Sequence, residues 1–226
     1  FFTSEFLAYM ACVEVAPAID GRGRRLLTTR AVRAGDLLHR EAPLAAVPYD
    51  LATTCAHTFL SLTLAATTTS SAQHPTPLRR CGRCRAVRYV DRAAQAADWG
   101  AHKPECAALA ACSAPPSPTI RLAARCLWWA GLVGRVEQQA EQHVGRQAAL
   151  ARDRVRQGGC GTAALDALES HWDDLSPARQ ALYAGLAVAT RTFMTGGGRD
   201  SAAPDLPSIA RLIARLAVNA HTITGG

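Results

Sequence analysis

At 226 residues, the chain is long enough for one large domain or two small ones, and its hydrophobic content of 49% excludes disorder over the whole length. Its formal net charge of +7 permits contact with nucleic acid or an acidic partner. A dedicated nucleic-acid role is not favoured, because the sequence has no basic run with interleaved aromatic residues. It also lacks a stretch of about 18 apolar residues, so it predicts no membrane span.

The eight cysteines are distributed in a way that indicates a reducing compartment. Three of them cluster with a histidine between residues 81 and 106, and the other five are scattered along the chain. Small secreted domains pair most of their cysteines in disulfides, and this distribution does not fit such a scaffold. The pattern therefore predicts a location in the nucleus, the cytoplasm or both. The first residue is Phe1 rather than methionine, so we expect the chain to be a piece of a longer protein.

The first predicted elements are short strands between residues 12 and 48. Residues 12–16 (CVEVA) alternate in polarity, and residues 26–32 (LLTTRAV) are rich in β-favouring side chains. A tight turn is predicted at residues 33–36 (RAGD). Residues 37–48 (LLHREAPLAAVP) favour a further strand, which their prolines would restrict to an edge or an end of the sheet.

The densest pattern of the chain starts at Cys81, after a threonine- and serine-rich stretch (residues 63–77) that is predicted to be a loop. Cys81 and Cys84 form a C-x2-C pair, in which two thiolates face one ion across a tight turn. Gly82 suits such a turn because it has no Cβ atom. This pair predicts half of a metal site.

The other half is predicted on a helix over residues 91–112, which is rich in alanine. His102 and Cys106 are four residues apart and therefore share one face of this helix. With the C-x2-C pair they complete a Cys3His set, for which zinc is the expected ion. Trp99 lies three residues before His102 and is predicted to pack beside the metal face as a core aromatic residue.

The second half of the chain is predicted to be mainly helical. After a proline-rich break, recurrent apolar positions predict a helix over residues 120–157. Ser176 and Pro177 have the N-cap and first-position preferences of a second helix, which the glycines at 196–198 end. A third helix with one apolar face is predicted over residues 204–219.

Residues 78–109 resemble a MYND zinc finger. The second half of that finger has a CxxC pair followed by an RYC-type step, a CQ step and a DW..HK..C step. This chain has, at the matching places, Arg88–Tyr89, Gln95, Asp98, Trp99, His102, Lys103 and Cys106.

The flanking segments resemble one subfamily, the SET-and-MYND (SMYD) protein-lysine methyltransferases, in which the finger is inserted into a SET domain. The matching steps are residues 21–24 (GRGR), 31–37 (AVRAGDL), 43–44 (PL), 169–175 (ESHWDDL) and 219–223 (NAHTI). The fold class that this resemblance implies is α+β, with a partial SET β unit, an inserted MYND-type zinc finger and a mainly helical SET-insert region. The implied domains are the N-terminal SET strands (12–50), the zinc finger with a preceding flexible loop (51–112), the helical SET insert (115–200) and the start of the C-terminal SET part (203–226).

The finger departs from the family pattern at one of its two metal sites. A full MYND finger holds two zinc ions with eight interleaved ligands, and all four ligands of the second ion are present here. The positions of the first ion have lost all but one ligand and hold Cys55, Thr58, Val90 and Ala94. The resemblance therefore implies one zinc ion, and it leaves open whether Cys55 and His57 hold any metal with outside help.

The resemblance also implies contacts to S-adenosylmethionine from Arg22 and Arg24 of the glycine-containing loop, from Glu169 and His171, and from Asn219. Arginines suit the carboxylate of this cofactor, a glutamate accepts hydrogen bonds from ribose hydroxyls, and an asparagine bridges donors and acceptors. Judged as residues alone, the two arginines and the Glu169–His171 step are more typical of ordinary exposed surface than of a cofactor site.

Two further departures concern the cofactor and the chemistry. Arg25 stands where the family's loop has a second glycine, and its side chain would crowd the ligand or require a different backbone angle. The family's Asn-His-Ser-Cys segment and late tyrosine, on which methyl transfer depends, follow the NAHTI step, where this chain ends. We therefore expect no catalytic residue in this chain and no methyl transfer from the chain alone.

Two functions remain open on this basis. The first is a portion of an S-adenosylmethionine-dependent protein-lysine methyltransferase with a structural zinc site, which acts on a protein substrate. The alternative is a non-catalytic MYND-type interaction module that binds proline-rich peptides, for which the basic charge would favour acidic partners.

Overall fold

The computed structural model of the chain describes residues 13–17, 24–38, 43–61, 77–142, 165, 168–196 and 204–220. These residues form a mixture of helices and small antiparallel sheets, in two compact units, Phe1–Pro43 and Leu44–Gly226. In the part of the chain that is described, no helix combines the length and the apolar character that crossing a membrane requires.

The described part of the N-terminal unit forms a hairpin. Strands β1 (Val13–Pro17) and β2 (Arg24–Thr28) pair antiparallel, so the second strand begins and ends earlier than the predicted span of 26–32. The tight turn that follows is confirmed: Asp36 N donates to Arg33 O over 3.1 Å, and Arg33 N donates to the Asp36 carboxylate over 2.8 Å.

The further strand predicted over residues 37–48 is wrong for the part of it that the structure describes, where the backbone is irregular. Two carbonyl groups of this segment accept hydrogen bonds from buried arginines instead of a neighbouring strand. Arg125 Nη1 donates to Ala46 O over 2.9 Å, and Arg121 Nη1 donates to Pro48 O over 3.3 Å. Proline also removes a donor that a strand would need.

The finger consists of a very short hairpin and a long helix. Strands β3 (Arg79–Arg80) and β4 (Arg88–Tyr89) pair antiparallel, and helix α1 (Arg92–Ala111) follows. The Asp91 carboxylate caps this helix by accepting a hydrogen bond from Ala94 N over 2.7 Å, which satisfies one of its free N–H groups. The predicted helix over residues 91–112 is thus confirmed.

Among the described residues, the larger unit also contains three more helices and one short 3-10 helix. They are α2 (Pro118–Gln142), the 3-10 helix (Trp172–Asp174), α3 (Pro177–Thr195) and α4 (Leu206–Asn219). Helix α2 contacts α1, α3 and α4, and α3 packs extensively on α4. The continuation of the first predicted helix beyond residue 142, and most of the predicted loop at 63–77, lie outside the described residues.

The predicted helix boundaries in this half agree with the capping chemistry. The Ser176 hydroxyl accepts a hydrogen bond from Arg179 N over 3.4 Å, and α3 ends at Gly196, whose positive φ of 62° suits glycine. Helix α4 begins two residues later than predicted, after Asp205, and buries Ile209 on its apolar face.

One apolar cluster holds the finger on the helices, and a second holds three of the helices together. The first includes Val87, Tyr89 and Leu109 of the finger together with Phe193 of α3, whose ring lies 5.8 Å from that of Trp128 in α2. The second lies among α2, α3 and α4 and contains Ala123, Tyr183, Ala187, Ile209, Ala210, Ile213 and Ala214. Helix α2 therefore contributes to both clusters, and it fixes α1 against the helical half of the unit.

Candidate metal centre

The four residues predicted to be metal ligands lie together. Cys81 and Cys84 come from the turn between β3 and β4, and His102 and Cys106 come from two successive turns of α1. Their ligand atoms all lie within 4.8 Å of one another, and within the described residues this is the one such group. A hydrogen bond of 2.8 Å from Cys81 N to Val87 O closes the turn that presents the cysteine pair.

The distances among these ligand atoms fit zinc. Cys81 Sγ lies 3.7 Å from Cys106 Sγ, and Cys84 Sγ lies 3.6 Å from His102 Nε2. A tetrahedral ion with zinc–sulfur bonds near 2.3 Å and a zinc–nitrogen bond near 2.0 Å requires a sulfur–sulfur edge of about 3.8 Å and a sulfur–nitrogen edge of about 3.5 Å. Three ligands are buried and Cys84 is half-buried. A closed Cys3His set of this kind holds a structural ion, because no position remains for a substrate.

The turn between the two cysteines does not depend on its glycine. The residue with a positive φ is Arg85, at 56°, whereas Gly82 has no such angle. A Cβ atom added at Gly82 would meet nothing within 4 Å. The left-handed backbone conformation for which a glycine would be best suited is therefore adopted by Arg85 and not by Gly82.

Trp99 lies beside the metal face as predicted, since its ring is 6.0 Å from that of His102 in an edge-on arrangement. The expectation that it is a core aromatic residue is wrong, because 40% of Trp99 is exposed. It forms part of the surface of the finger next to the metal centre.

Behind the ligands lies a buried charged network that the sequence analysis missed. His102 Nδ1 lies 3.4 Å from Glu105 Oε2, and Glu105 is fully buried. Arg121 Nε donates to Glu105 Oε1 over 2.8 Å, and Arg125 donates to Oε2 from Nη2 over 2.6 Å and from Nε over 3.0 Å. Arg125 also contacts Asp98, whose other carboxylate oxygen accepts a 2.8 Å hydrogen bond from the Tyr89 hydroxyl.

The charges in this network stabilise one another. Burial raises the pKa of Glu105, but the hydrogen bond from His102 and the charges of Arg125 and Arg121 outweigh it and lower the pKa to about 2. A signal for this network was present in the sequence: two arginines four apart, on the same face of an otherwise apolar helix segment, need buried anionic partners.

The ligand side chains differ in how readily they give up a proton when only protein groups surround them. Burial raises the pKa of Cys84, but hydrogen bonding to His102 and backbone N–H groups outweighs it and lowers the pKa to about 6. Burial lowers the pKa of His102, yet its hydrogen bonds to Cys84, Glu105 and Cys81 raise it to about 10. Burial and the neighbouring thiols raise the pKa of Cys106 to about 12.

These directions predict that zinc binds more weakly as the pH falls. At pH 7 the unliganded His102 and Cys106 carry protons, and zinc must expel both because it binds only neutral imidazole and thiolate. The apparent dissociation constant is therefore expected to rise by at least about two powers of ten for each pH unit lost. Below about pH 6, protonation of Cys84 adds a third power of ten.

Competition with a chromogenic chelator, repeated at several values between about pH 5.5 and 8, measures how the dissociation constant changes with pH. Calorimetry in buffers of different ionisation enthalpy independently gives the number of protons that are released when one zinc ion binds. A dissociation constant that does not change with pH, or binding without proton release, would contradict the prediction.

The positions of the family's first ion hold an apolar site around a single thiol. Cys55 and Ala94 are buried in the same cluster, and Val90 packs against it. Burial raises the pKa of Cys55, but hydrogen bonds from the Thr58 hydroxyl and from the N–H groups of Thr58, His57 and Val90 outweigh it, and the net direction is downward. Among the described residues, Cys55 and His57 belong to no group of three or more potential ligands.

Three of the five residues that the resemblance assigns to S-adenosylmethionine lie in the larger unit. Asn219, the last residue of α4, donates from Nδ2 to Glu169 O over 3.1 Å and to Arg215 O over 2.7 Å. Arg215 Nε donates to Leu168 O over 3.1 Å, so two side chains of α4 hold this segment. The side chain of Glu169 is exposed.

His171 follows in the same segment and is also exposed, in a left-handed conformation with a φ of 47°. The segment is held on its other side by Gln180, whose Nε2 donates to Trp172 O over 2.9 Å. Of the two arginines, Arg24 is the first residue of β2 in the N-terminal unit, and Arg22 lies outside the described residues.

Comparison with known proteins agrees with this geometry. The family model described as "MYND finger" matches residues 68–106, a range that contains all four ligands. Histone-lysine N-methyltransferase SMYD1 of Homo sapiens is 35% identical over 120 residues, which are 53% of this chain and 22% of that protein. Histone-lysine N-methyltransferase Smyd1 of Mus musculus is 34% identical over 110 residues, which are 48% of this chain and 20% of that protein.

The chain thus spans about a fifth of the length of the curated relatives that it matches. The matched finger, its complete Cys3His set and the similarity to the two SMYD1 proteins agree with one another. The chain therefore contains a MYND finger with a candidate zinc-binding site, and about half of its length is similar to the two SMYD1 proteins.

Proposed function

We propose that this chain is the zinc-stabilised portion of an S-adenosylmethionine-dependent protein-lysine methyltransferase. The observation that carries the proposal is the contact between Asn219 and the backbone of Glu169, which lie 50 positions apart in the sequence. The resemblance assigns both residues to the same cofactor, and a shared ligand requires that they lie close together. The two SMYD1 relatives are named as histone-lysine methyltransferases, so the proposed substrate is a lysine side chain of a protein such as a histone.

Each proposed cofactor residue has a role that its chemistry supports. The exposed Glu169 carboxylate would accept hydrogen bonds from the ribose hydroxyls, and Asn219 would hold the segment that presents this carboxylate. His171 adds a further polar contact from the same segment. Arg22 and Arg24 would pair with the carboxylate of the cofactor, because guanidinium groups bind carboxylates strongly. These residues belong to the partial SET region, and the zinc ion would have a structural role in the finger.

Glu169→Gln tests the cofactor role without disturbing the local fold, because the contact to Asn219 uses the backbone carbonyl of Glu169 rather than its carboxylate. Loss of a charge-assisted hydrogen bond costs about 1.5 to 3 kcal/mol, so we expect affinity for S-adenosylmethionine to fall about 10- to 100-fold. Isothermal calorimetry with the 226-residue chain measures this affinity.

Asp173→Asn is the matched control, since it removes an exposed carboxylate from the neighbouring 3-10 helix and is assigned no contact with the cofactor. Its affinity should equal that of the unmodified chain. Absence of saturable cofactor binding by the unmodified chain would overturn the proposed cofactor site, as would equal losses in the two variants.

The second candidate is a non-catalytic interaction module. Trp99 favours it, because an aromatic side chain that is 40% exposed beside the metal centre offers a stacking surface for a proline-rich peptide. Four exposed arginines around the cysteine turn would add affinity for acidic partners: Arg79, Arg80, Arg83 and Arg85. This candidate requires no cofactor, so the calorimetric experiment distinguishes it from the methyltransferase.

We also propose a reducing location, in the nucleus, the cytoplasm or both. The six cysteines of the described residues form no disulfide with one another, and three of them belong to the candidate metal site, which a disulfide would destroy.

A further inference from the structure

Glu105 occupies a position between the metal centre and helix α2. It is one residue before the ligand Cys106, and its carboxylate faces the side of the His102 ring that is turned away from the other ligands. Nδ1 of His102 lies 3.4 Å from Glu105 Oε2, whereas Nε2 lies 3.6 Å from Cys84 Sγ. The two ring nitrogens therefore have separate partners, one on the protein side and one on the metal side.

The partners of Glu105 keep its carboxylate in the form that only accepts hydrogen bonds. Two guanidinium groups of α2 donate to it, Arg121 to Oε1 over 2.8 Å and Arg125 to Oε2 over 2.6 Å, and the carboxylate is fully buried. A carboxylate between two cations accepts hydrogen bonds only, so the hydrogen of the imidazole must lie on Nδ1. In the zinc-loaded state, in which the ring is neutral, this leaves the lone pair of Nε2 for the ion.

We propose that Glu105 is a positioning residue of the zinc site, which fixes the tautomer and orientation of His102, and that Arg121 and Arg125 thereby couple zinc binding to the docking of α2 on α1. The coupling follows from a shared group: the same carboxylate that orients the ligand also anchors the second helix. Such a contact behind a ligand contributes to metal affinity although it does not touch the ion.

Glu105→Gln and Asp98→Asn form a matched pair that tests the proposal. Each removes one negative charge from a buried side chain of α1 that contacts Arg125, but only Glu105 touches His102. We expect Glu105→Gln to weaken zinc binding about 10- to 100-fold and Asp98→Asn to weaken it much less. Competition with a chelator, on the complete 226-residue chain, gives both dissociation constants.

The ring of His102 supplies a second measurement that a general loss of stability would not change. In long-range proton–nitrogen NMR spectra of the zinc-loaded chain, Nδ1 should carry a hydrogen that exchanges slowly with water. We expect that hydrogen to shift and to exchange faster in Glu105→Gln, and to remain unchanged in Asp98→Asn.

Glu105→Asp covers the case in which the glutamine variant does not fold. It keeps the negative charge opposite both arginines but withdraws the carboxylate from His102 by one methylene, so zinc should be lost more readily while α2 stays docked. Equal losses of zinc affinity in Glu105→Gln and Asp98→Asn would overturn the proposal. So would a folded Glu105→Asp variant with unchanged affinity and an unchanged His102 spectrum.

Discussion

Cys84→Ser is expected to abolish tight zinc binding and to unfold the region around residues 78–111. Zinc sites in small fingers contribute apparent binding free energies of about 10 to 16 kcal/mol, which is folding free energy for the segment that they cross-link. Apart from α1, the regular structure of this segment is two strands of two residues each. Two of its buried core residues, Cys81 and Cys106, are themselves ligands. The short hairpin has little regular structure of its own to keep it folded once the ion is lost.

Elemental analysis after dialysis measures the loss of the ion, and hydrogen exchange shows where the chain opens. The unmodified chain should retain one zinc ion, and Cys84→Ser should retain none. Cys112→Ser makes the same chemical change at a half-buried cysteine just beyond α1, outside the ligand set, and should keep the ion. An unchanged melting temperature and zinc content in Cys84→Ser would contradict the assignment, and two tightly bound ions would contradict the single site.

The ligands of this site could be predicted from sequence because short-range geometry determines them. A C-x2-C pair needs only a turn, and His102 and Cys106 share a helix face whatever the helix contacts. The start of α3 at Ser176 followed from its capping side chain in the same way. In each case the residues that cooperate are within a few positions of one another.

The errors arose where distant residues decide the outcome. Residues 37–48 look like a strand, but the carbonyl groups of Ala46 and Pro48 are satisfied by arginines more than 70 positions away. The sequence pattern assigned no role to Glu105, because only the packing of α2 on α1 makes it a buried partner of the metal centre. The cofactor residues Arg22, Arg24, Glu169, His171 and Asn219 stay predictions, since the contacts that would join them involve a ligand.

Of the two buried arginines, Arg125 is the one whose loss should matter more. Burial lowers the pKa of both guanidinium groups, but the charges of Glu105 and Asp98 outweigh it for Arg125 and raise its pKa, whereas the pKa of Arg121 stays lowered. Arg125 also donates to Ala46 O over 2.9 Å, so it joins α1, α2 and the segment before the finger. The positive charge of Arg125 is therefore balanced by buried carboxylates. Replacing Arg125 leaves more polar groups without a hydrogen-bond partner than replacing Arg121 does.

Arg125→Met is expected to lower the free energy of unfolding by about 3 to 5 kcal/mol, because it leaves two buried carboxylates short of a partner. Denaturant titration of the zinc-loaded chain measures this loss. Arg191→Met removes an exposed arginine of α3 and should change the stability by no more than about 0.5 kcal/mol. The double variant Arg125→Met/Asp98→Asn should recover part of the loss, since Asp98 no longer carries an unpaired buried charge. Equal stability of Arg125→Met and Arg191→Met would mean that the network does not hold α2 on the finger.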